Sequence, residues 1–182
     1  LEALRQPLEE GSVRIARASG TVVFPAAFTL VAAMNPCPCG YAGQAARPCR
    51  CTPMAVTRYH ERVSGPLRDR LDLTVELSPV AFDTLTASAP GEPSADVRRR
   101  AAEAGAALNS RLAPAALRRV AALDADSTRQ LAAAATRLAL SGRAVHRTLR
   151  VARTIADLEG SAVIAAPHLL EALHFRAGTP VA

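Results

Sequence analysis

The sequence contains no lysine, and all 22 of its basic residues are arginine. A Walker A loop needs a lysine to contact the phosphates of a nucleotide, so this absence excludes a P-loop from these 182 residues. Arginine also favours bidentate contacts with phosphate. Genome base composition is the simpler explanation for most of the arginine bias, so the formal net charge of +6 only weakly supports a phosphate-rich partner.

Aromatic residues and long apolar runs are also scarce. Aromatic side chains make up 3% of the sequence and tryptophan is absent, whereas alanine is abundant. This composition favours helices over an all-strand fold. No apolar run reaches the length of a membrane span and no signal peptide is visible, so we expect a soluble, cytoplasmic protein. The length of 182 residues allows one large domain or two small ones.

The cysteines of the chain form two close pairs, Cys37 with Cys39 and Cys49 with Cys51. Four thiolates at this spacing suit a tetrahedral zinc ion. They leave no open coordination position, so the metal would be structural rather than catalytic. The alternatives are two disulfides or four unused thiols. Because no signal peptide is visible, we expect a reducing compartment, in which disulfides are disfavoured.

An apolar run over residues 28–34 ends at Asn35, directly before the first cysteine pair. The run predicts a buried strand. A polar residue at the end of such a strand is placed where a sheet meets its ligand crevice. The local sequence by itself favours the simpler interpretation that Asn35 starts a turn before Pro36.

The remaining pattern divides the chain into a mixed first half and a helical second half. It predicts a hairpin over residues 13–24 and a further strand over 72–77. Cap residues and helical spacing predict helices ending at Gly11 and over residues 53–63, 67–71, 94–112, 114–123, 126–140, 141–159 and 167–176. Two of these helices are predicted to start at a hydroxyl cap followed by proline, at Thr52-Pro53 and at Ser64-Gly65-Pro66. Residues 78–93 are rich in Pro, Ser, Thr and Ala, which predicts a linker and a domain boundary near residue 90.

Arginines crowd the segment between the cysteines and residue 72. Arg70 stands directly before the predicted strand over residues 72–77. An arginine in such a place can project from a subunit edge toward a phosphate bound by a neighbour. The alternative is an ordinary surface arginine paired with Asp69 or Asp72, and spacing alone favours that alternative.

Three arginines share one face of the helix predicted over residues 141–159. Arg143, Arg147 and Arg150 stand at i, i+4 and i+7, whereas small and apolar residues such as Val145 and Ala152 occupy the opposite side and would face the core. Arg143 also lies in the first turn, where backbone N–H groups attract anions. A phosphate site and a solvated basic face explain this pattern equally well.

Five stretches of the chain form one recognisable pattern. They are FPxxFxLVAAMNPCPCG over residues 24–40, CRCTP over 49–53, RYxxRVSGPLxDRLDL over 58–73, LSxRA over 140–144 and VARTIADL over 151–158. This pattern resembles the ComM/YifB family of magnesium-chelatase-like AAA+ ATPases, from Leu1 to about Arg176. The resemblance implies an α/β part followed by an all-α part. Residues 1–90 would be the rear of an AAA+ core with a zinc-type insertion, and residues 91–182 a helical lid domain.

The resemblance also implies roles for individual residues. Asn35 matches the sensor-1 residue, which orients the attacking water, and Arg70 matches the arginine finger, which acts on ATP bound by the adjacent subunit. Arg143 matches the sensor-2 arginine, which contacts the nucleotide phosphates from the lid. The four cysteines match a zinc-type insertion found in many members. The family further implies hexameric ring ATPases, and its ComM-type members are linked to branch migration of DNA.

The family's protease-like domain, Walker A and Walker B motifs have no counterpart in this sequence. We therefore expect the C-terminal part of such an ATPase, inactive alone, with ATP and Mg²⁺ held mainly by the missing part. One alternative is a magnesium-chelatase motor subunit, although such subunits lack the cysteine cluster. Another is a non-enzymatic, zinc-stapled DNA-binding module, which the positive charge would favour.

Overall fold

The computed structural model describes residues 1–44, 47–80, 82–86, 91–105, 109 and 112–177. The chain forms two compact units, the first over Leu1–Leu71 and the second beginning at Asp72. Helices and one two-stranded sheet make up the regular structure of the described residues. Among these residues, no helix is both long and apolar enough to cross a membrane. The domain boundary near residue 90 stays a prediction.

The first unit begins with two short helical turns. A 3₁₀ turn over Glu2–Leu4 leads into α1, Arg5–Glu10. Gly11 ends α1 in the left-handed conformation, at φ 63°, and its N–H donates to the carbonyl of Pro7 at 2.9 Å. Glycine adopts this conformation readily because it has no Cβ. The helix end predicted at Gly11 is confirmed.

The predicted hairpin is confirmed, but the two further predicted strands are wrong. β1, Ser12–Arg17, pairs antiparallel with β2, Gly20–Pro25. Residues 28–34 and 72–77 form no strand, and Val31 and Leu77 are each 89% exposed. A strand is stable only when a neighbour satisfies its backbone hydrogen bonds. Within the described residues β1 and β2 pair with each other alone, so the apolar content of these segments does not produce strands.

Two helices follow the cysteine loop in the first unit. The side chain of Thr52 caps α2, Pro53–His60, by accepting from the N–H of Ala55 at 3.2 Å. Ser64 caps α3, Gly65–Arg68, in the same way. Both predicted start signals, a hydroxyl cap followed by proline in the first turn, are confirmed. Both helices end earlier than predicted.

The second unit is helical over most of its described residues. Its helices are α4, Phe82–Thr86; α5, Ser94–Glu103; α6, Pro114–Val120; α7, Ala125–Arg137; α8, Gly142–Leu158; and α9, Ala166–Ala177. The helix predicted over residues 94–112 ends as α5 at Glu103, and residues 106–108, 110 and 111 lie outside the described ones. α4 lies within the predicted linker. The side chain of Ser141 caps α8 by accepting from the N–H of Ala144 at 3.2 Å, which confirms the predicted start.

An apolar core forms where α6, α7, α8 and α9 meet. Its buried residues are Leu117, Ala121, Leu131, Ala134, Ala152, Ile155, Ala156, Ile164, Leu169, Ala172 and Leu173. Val145 of α8 packs against this core and Ala152 is buried in it, as predicted from their position opposite the arginines. Burial of each large apolar side chain contributes about 1.5–3 kcal/mol. The core therefore accounts for much of the cohesion of the second unit.

A buried polar network fastens the end of α8. Arg153 is 4% exposed, and its guanidinium donates to Asp157 Oδ1 at 3.0 Å and to the carbonyls of Ala162, at 3.0 Å, and Ser161. The other carboxylate oxygen of Asp157 accepts from Asn109 Nδ2 at 2.6 Å. A buried charge is tolerated when it is paired and hydrogen-bonded in this way. Arg153 is therefore a structural arginine.

Candidate functional site

The four cysteine side chains converge on one point of the first unit. Cys37 and Cys39 have their Sγ atoms 3.3 Å apart, and the Sγ of Cys49 lies 3.6 Å from each of them. With Cys51 included, all four sulfurs lie within 4.8 Å of one another. Cys37 is fully buried. The cluster is thus close enough to hold a metal ion, as the sequence spacing predicts.

Turns and backbone hydrogen bonds bring these sulfurs together. Gly40, at φ 83°, closes a tight turn in which its N–H donates to the carbonyl of Cys37 at 3.0 Å. The N–H of Ala42 donates to Cys37 Sγ at 3.3 Å, and the N–H of Cys51 donates to Cys49 Sγ at 3.4 Å. Backbone N–H groups directed at sulfur favour the thiolate, which is the metal-binding form.

Within the close-packed cluster of four sulfurs, the pKa values of the thiols shift in opposite directions. Backbone N–H groups of Arg50 and Tyr41 lower the pKa of Cys39 to about 6. The backbone N–H of Cys39 also lowers the pKa of Cys51, but the neighbouring sulfurs and desolvation outweigh it and raise that pKa to about 12. Four thiolates this close repel one another unless a cation offsets their charge. The donor set, four sulfurs and no oxygen, fits zinc.

Two contacts hold the cysteine loop in place, one to α2 and one within the loop itself. His60, the last residue of α2, places Nε2 3.0 Å from the carbonyl of Pro36. Since a carbonyl only accepts, this ring nitrogen carries the proton. Within the loop, Arg47 stacks its guanidinium 4.1 Å from the ring centre of Tyr41 and donates to the phenolic oxygen at 2.7 Å. The loop is therefore attached to α2 as well as closed by its sulfurs.

Asn35 lies beside the cysteine loop and is exposed. A Cβ placed on Gly40 would lie 3.8 Å from Nδ2 of Asn35, so the amide rests against the turn that closes the loop. Asn35 does not end a buried strand, because residues 28–34 form none. The structure thus brings Asn35 together with the cysteine cluster.

Arg70 is held by Glu9, a residue distant from it in the sequence. Its Nη2 donates to Oε2 of Glu9, in α1, and its Nη1 donates to the carbonyl of Pro66 at 2.6 Å. Proximity in sequence had suggested Asp69 or Asp72 as the partner instead. Glu9 and Arg70 are 61 positions apart, so no local signal could have found the pair.

The three arginines predicted to share a face of α8 have separate surroundings. Arg143, in the first turn, is exposed. Arg147 donates from Nη1 to Oδ1 of Asp72 at 2.6 Å. Arg150 donates from Nε and Nη2 to the carbonyl of Leu112, at 3.1 and 2.7 Å, and burial lowers its pKa. Arg147 and Arg150 are thus engaged within the second unit rather than forming a uniform basic face.

Comparison with known proteins agrees with this arrangement. Residues 1–85 match the family described as magnesium chelatase, subunit ChlI, and residues 91–176 match the family described as magnesium chelatase, subunit ChlI C-terminal. A mixed unit with a small sheet, followed by a helical unit, is consistent with magnesium-chelatase-like AAA+ domains. That is the class to which the fold and the matched segments point.

Individual relatives narrow the class to a family. The chain is 42% identical over 186 residues to the competence protein ComM of Haemophilus influenzae, 41% identical over 187 residues to YifB of Escherichia coli, and 40% identical over 187 residues to an uncharacterized protein of Mycobacterium tuberculosis. Each match covers 97% of this chain, but only 36% or 37% of the relative. The chain belongs to the ComM/YifB family and spans about a third of the length of these relatives.

Proposed function

We propose that the chain is the C-terminal part of an ATP-hydrolysing AAA+ protein that acts on DNA as a branch-migration or helicase motor. The observation that supports this most is the match to ComM, which is named a competence protein, at 42% identity over 97% of the chain. The full-length protein would assemble into a ring, with six subunits as the expected number. ATP and Mg²⁺ would be held mainly outside these residues, since the chain has no lysine for a Walker A loop.

Three residues have catalytic or nucleotide-binding roles in this proposal. Asn35 orients the attacking water as sensor 1. Arg70 acts as the arginine finger on ATP bound by the adjacent subunit, where it stabilises charge that develops in the transition state. Arg143 contacts the nucleotide phosphates from the lid, beside the N-terminus of α8, where backbone N–H groups also favour anions.

The domain assignment follows from the same proposal. Residues 1–90 would be the rear of the AAA+ core, and residues 91–182 the helical lid. Exposure of the apolar segment over residues 28–34 supports this, because Val31 is 89% exposed and Phe28 46% exposed here. In a complete core, the rest of the protein would cover these apolar side chains.

Zinc would serve the first unit as a structural metal. Cys37, Cys39, Cys49 and Cys51 would bind it as thiolates in a closed, tetrahedral site. The ion would neutralise the crowded sulfurs and hold the loop that carries Asn35 at one end. The cluster also favours this proposal over a magnesium-chelatase motor subunit that inserts metal into a porphyrin.

A non-enzymatic DNA-binding module is the second candidate function. The net charge of +6 favours it, because neutralisation of DNA phosphates by arginine raises non-specific affinity. The two candidates differ in what the gene encodes upstream of Leu1. A G-x-x-x-x-G-K-[ST] motif there supports the motor, and a stop codon supports the module.

The test of the motor is Arg70→Ala in the full-length protein. Turnover should fall by about 10³-fold or more, while nucleotide binding changes little, because a finger acts mainly in the transition state. Arg143→Ala is the matched comparison. It should weaken nucleotide binding together with turnover, because Arg143 would contact ATP bound by its own subunit.

Rings assembled from two different variants show whether Arg70 acts on ATP bound by a neighbouring subunit or by its own subunit. A subunit with an inactive Walker A motif still carries Arg70, and an Arg70→Ala subunit still carries an intact nucleotide site. Neither should be active alone, but mixed rings should regain part of the ATPase rate. If mixing restores nothing while both variants form rings, the role of Arg70 is wrong and the exposed Arg62 is the next candidate.

A further inference from the structure

Arg70 is held in a conformation that withdraws its guanidinium from solvent. Its side chain is 9% exposed. Nη2 is bound to Glu9 and Nη1 to the carbonyl of Pro66, but within the described residues the buried Nε has no hydrogen-bond partner. A guanidinium offers five N–H donors in a planar fork. We call this the stored conformation of Arg70, and it leaves the Nε–H donor of the guanidinium without an acceptor.

The carboxylate of Glu9 benefits from this contact. Glu9 lies in the last turn of α1, next to Glu10, and α1 has no basic residue in that turn. A carboxylate is unfavourable at a helix C-terminus, because the carbonyl end of the helix dipole is negative. Arg70 supplies the positive charge that this end of α1 lacks. The stored conformation is therefore a stable arrangement of the first unit by itself.

The stored conformation competes with the action proposed for Arg70. An arginine finger presents its guanidinium to a phosphate across a subunit boundary. A carboxylate that remained on the guanidinium would offset its positive charge and would repel the phosphate. Contact with Glu9 and bidentate contact with a phosphate therefore compete for the guanidinium.

We propose that Glu9 is a positioning residue, which holds Arg70 in the stored conformation. A phosphate bound by a neighbouring subunit would then replace the carboxylate of Glu9 on the guanidinium. This proposal rests on the arginine-finger role given above. Phosphate offers a bidentate partner to Nε and Nη2, and Nε is the donor that has no partner in the stored conformation. The carboxylate of Glu9, already 38% exposed, regains water contacts when Arg70 leaves.

The test compares Glu9→Gln with Glu10→Gln in the full-length protein. Glu9→Gln keeps the shape of the side chain but removes the charge that holds Arg70. Glu10 is the adjacent residue, and its carboxylate accepts from Gln6 at 3.0 Å, so Glu10→Gln makes the same change in net charge at another contact. ATPase rates against ATP concentration give kcat and KM for each variant.

We expect Glu9→Gln to raise kcat about 3- to 10-fold at unchanged KM, because the loss of one charged hydrogen bond in the ground state lowers the barrier to the transition state. Glu10→Gln should leave both constants unchanged. A fall in kcat with intact rings would show that Glu9 aligns Arg70 in the active state, and would overturn the proposal. An unchanged kcat would overturn it as well.

Further variants separate this proposal from the finger role and from a structural role. In an Arg70→Ala background, Glu9→Gln should have no effect on kcat. If Arg70→Ala alone leaves turnover intact, the finger role fails. If Arg70→Ala abolishes turnover but Glu9→Gln brings no gain in kcat, only the storage role fails.

If the Glu9→Gln variant does not fold, Glu9→Asp tests the storage role instead. Its shorter carboxylate weakens the contact with Arg70 while keeping the charge. A gain in kcat supports storage, and a loss or no change overturns it.

Discussion

The two units of this protein differ in the interactions that stabilise each of them internally. The apolar core belongs to the second unit, where side chains from four helices are buried together. In the first unit, the buried residues among those described are Pro7, Cys37 and Leu67. Its larger apolar side chains lie at the surface, with Phe24 50% exposed and Val31 89% exposed. The second unit therefore resembles a self-sufficient domain, and the first does not.

This difference shows where the cohesion of the first unit must come from. Thiol contacts close the cysteine loop, His60 attaches it to α2, and Arg70 connects α1 to the segment after α3. Small units without a sufficient core commonly rely on a metal or another cross-link. The proposed zinc ion would have that role here, next to the exposed Asn35.

The largest effect on this contrast should come from removal of the metal. We expect one zinc ion per chain by elemental analysis. We expect Cys37→Ser to lose it, because this sulfur is fully buried within the cluster and contacts two others. A chain that contains no metal and four titratable thiols would contradict the prediction.

A matched pair of truncations sharpens the contrast in burial. Leu169 of α9 is 0% exposed, so Leu169→Ala should lower the free energy of unfolding of the second unit by about 2–5 kcal/mol. Val31 is 89% exposed, so Val31→Ala should change stability by less than about 0.5 kcal/mol. Denaturant unfolding of the isolated chain measures both. A comparable loss in Val31→Ala would mean that residues 28–34 are buried in solution.

The smallest predicted effect concerns pH and the start of α7. The N–H of Ser127 donates to Asp124 Oδ1 at 2.7 Å, which lowers the pKa of Asp124. Because the pKa is lower in the folded chain, this stabilisation is present above the usual aspartate range near pH 4 and is lost as the pH falls through the lower value. Asp124→Asn keeps a cap but cannot titrate.

Melting temperatures across this pH range measure the difference between the wild type and Asp124→Asn. The stability advantage of the wild type should shrink as the pH falls below about 4. A constant difference between the two proteins at all pH values would show that ionisation of this carboxylate does not contribute.

Local features of the fold could be predicted from the sequence because neighbouring residues determine them. Thr52, Ser64 and Ser141 cap their helices as predicted, and Gly11 ends α1. The cysteine spacing also predicts correctly that the four sulfurs meet. In each case the interacting groups lie within a few residues, or in one short loop, so their spacing limits the possible geometry.

Features that depend on distant partners could not be predicted in the same way. The apolar segments over residues 28–34 and 72–77 suggested strands, but a strand also needs a neighbour, which the sequence pattern does not identify. The pairs Glu9–Arg70 and Asp72–Arg147 join residues 61 and 75 positions apart. Proximity in sequence instead favoured Asp69 or Asp72 as the partner of Arg70.

The central claim is that a metal stabilises the first unit, whereas an apolar core stabilises the second. Hydrogen exchange with and without a zinc chelator tests this claim most directly. Amide protection by mass spectrometry would be compared across the chain before and after metal removal. We expect loss of protection within residues 1–71, centred on the cysteine loop, and unchanged protection in α7, α8 and α9. Equal loss in both units, or no loss in the first, would contradict it.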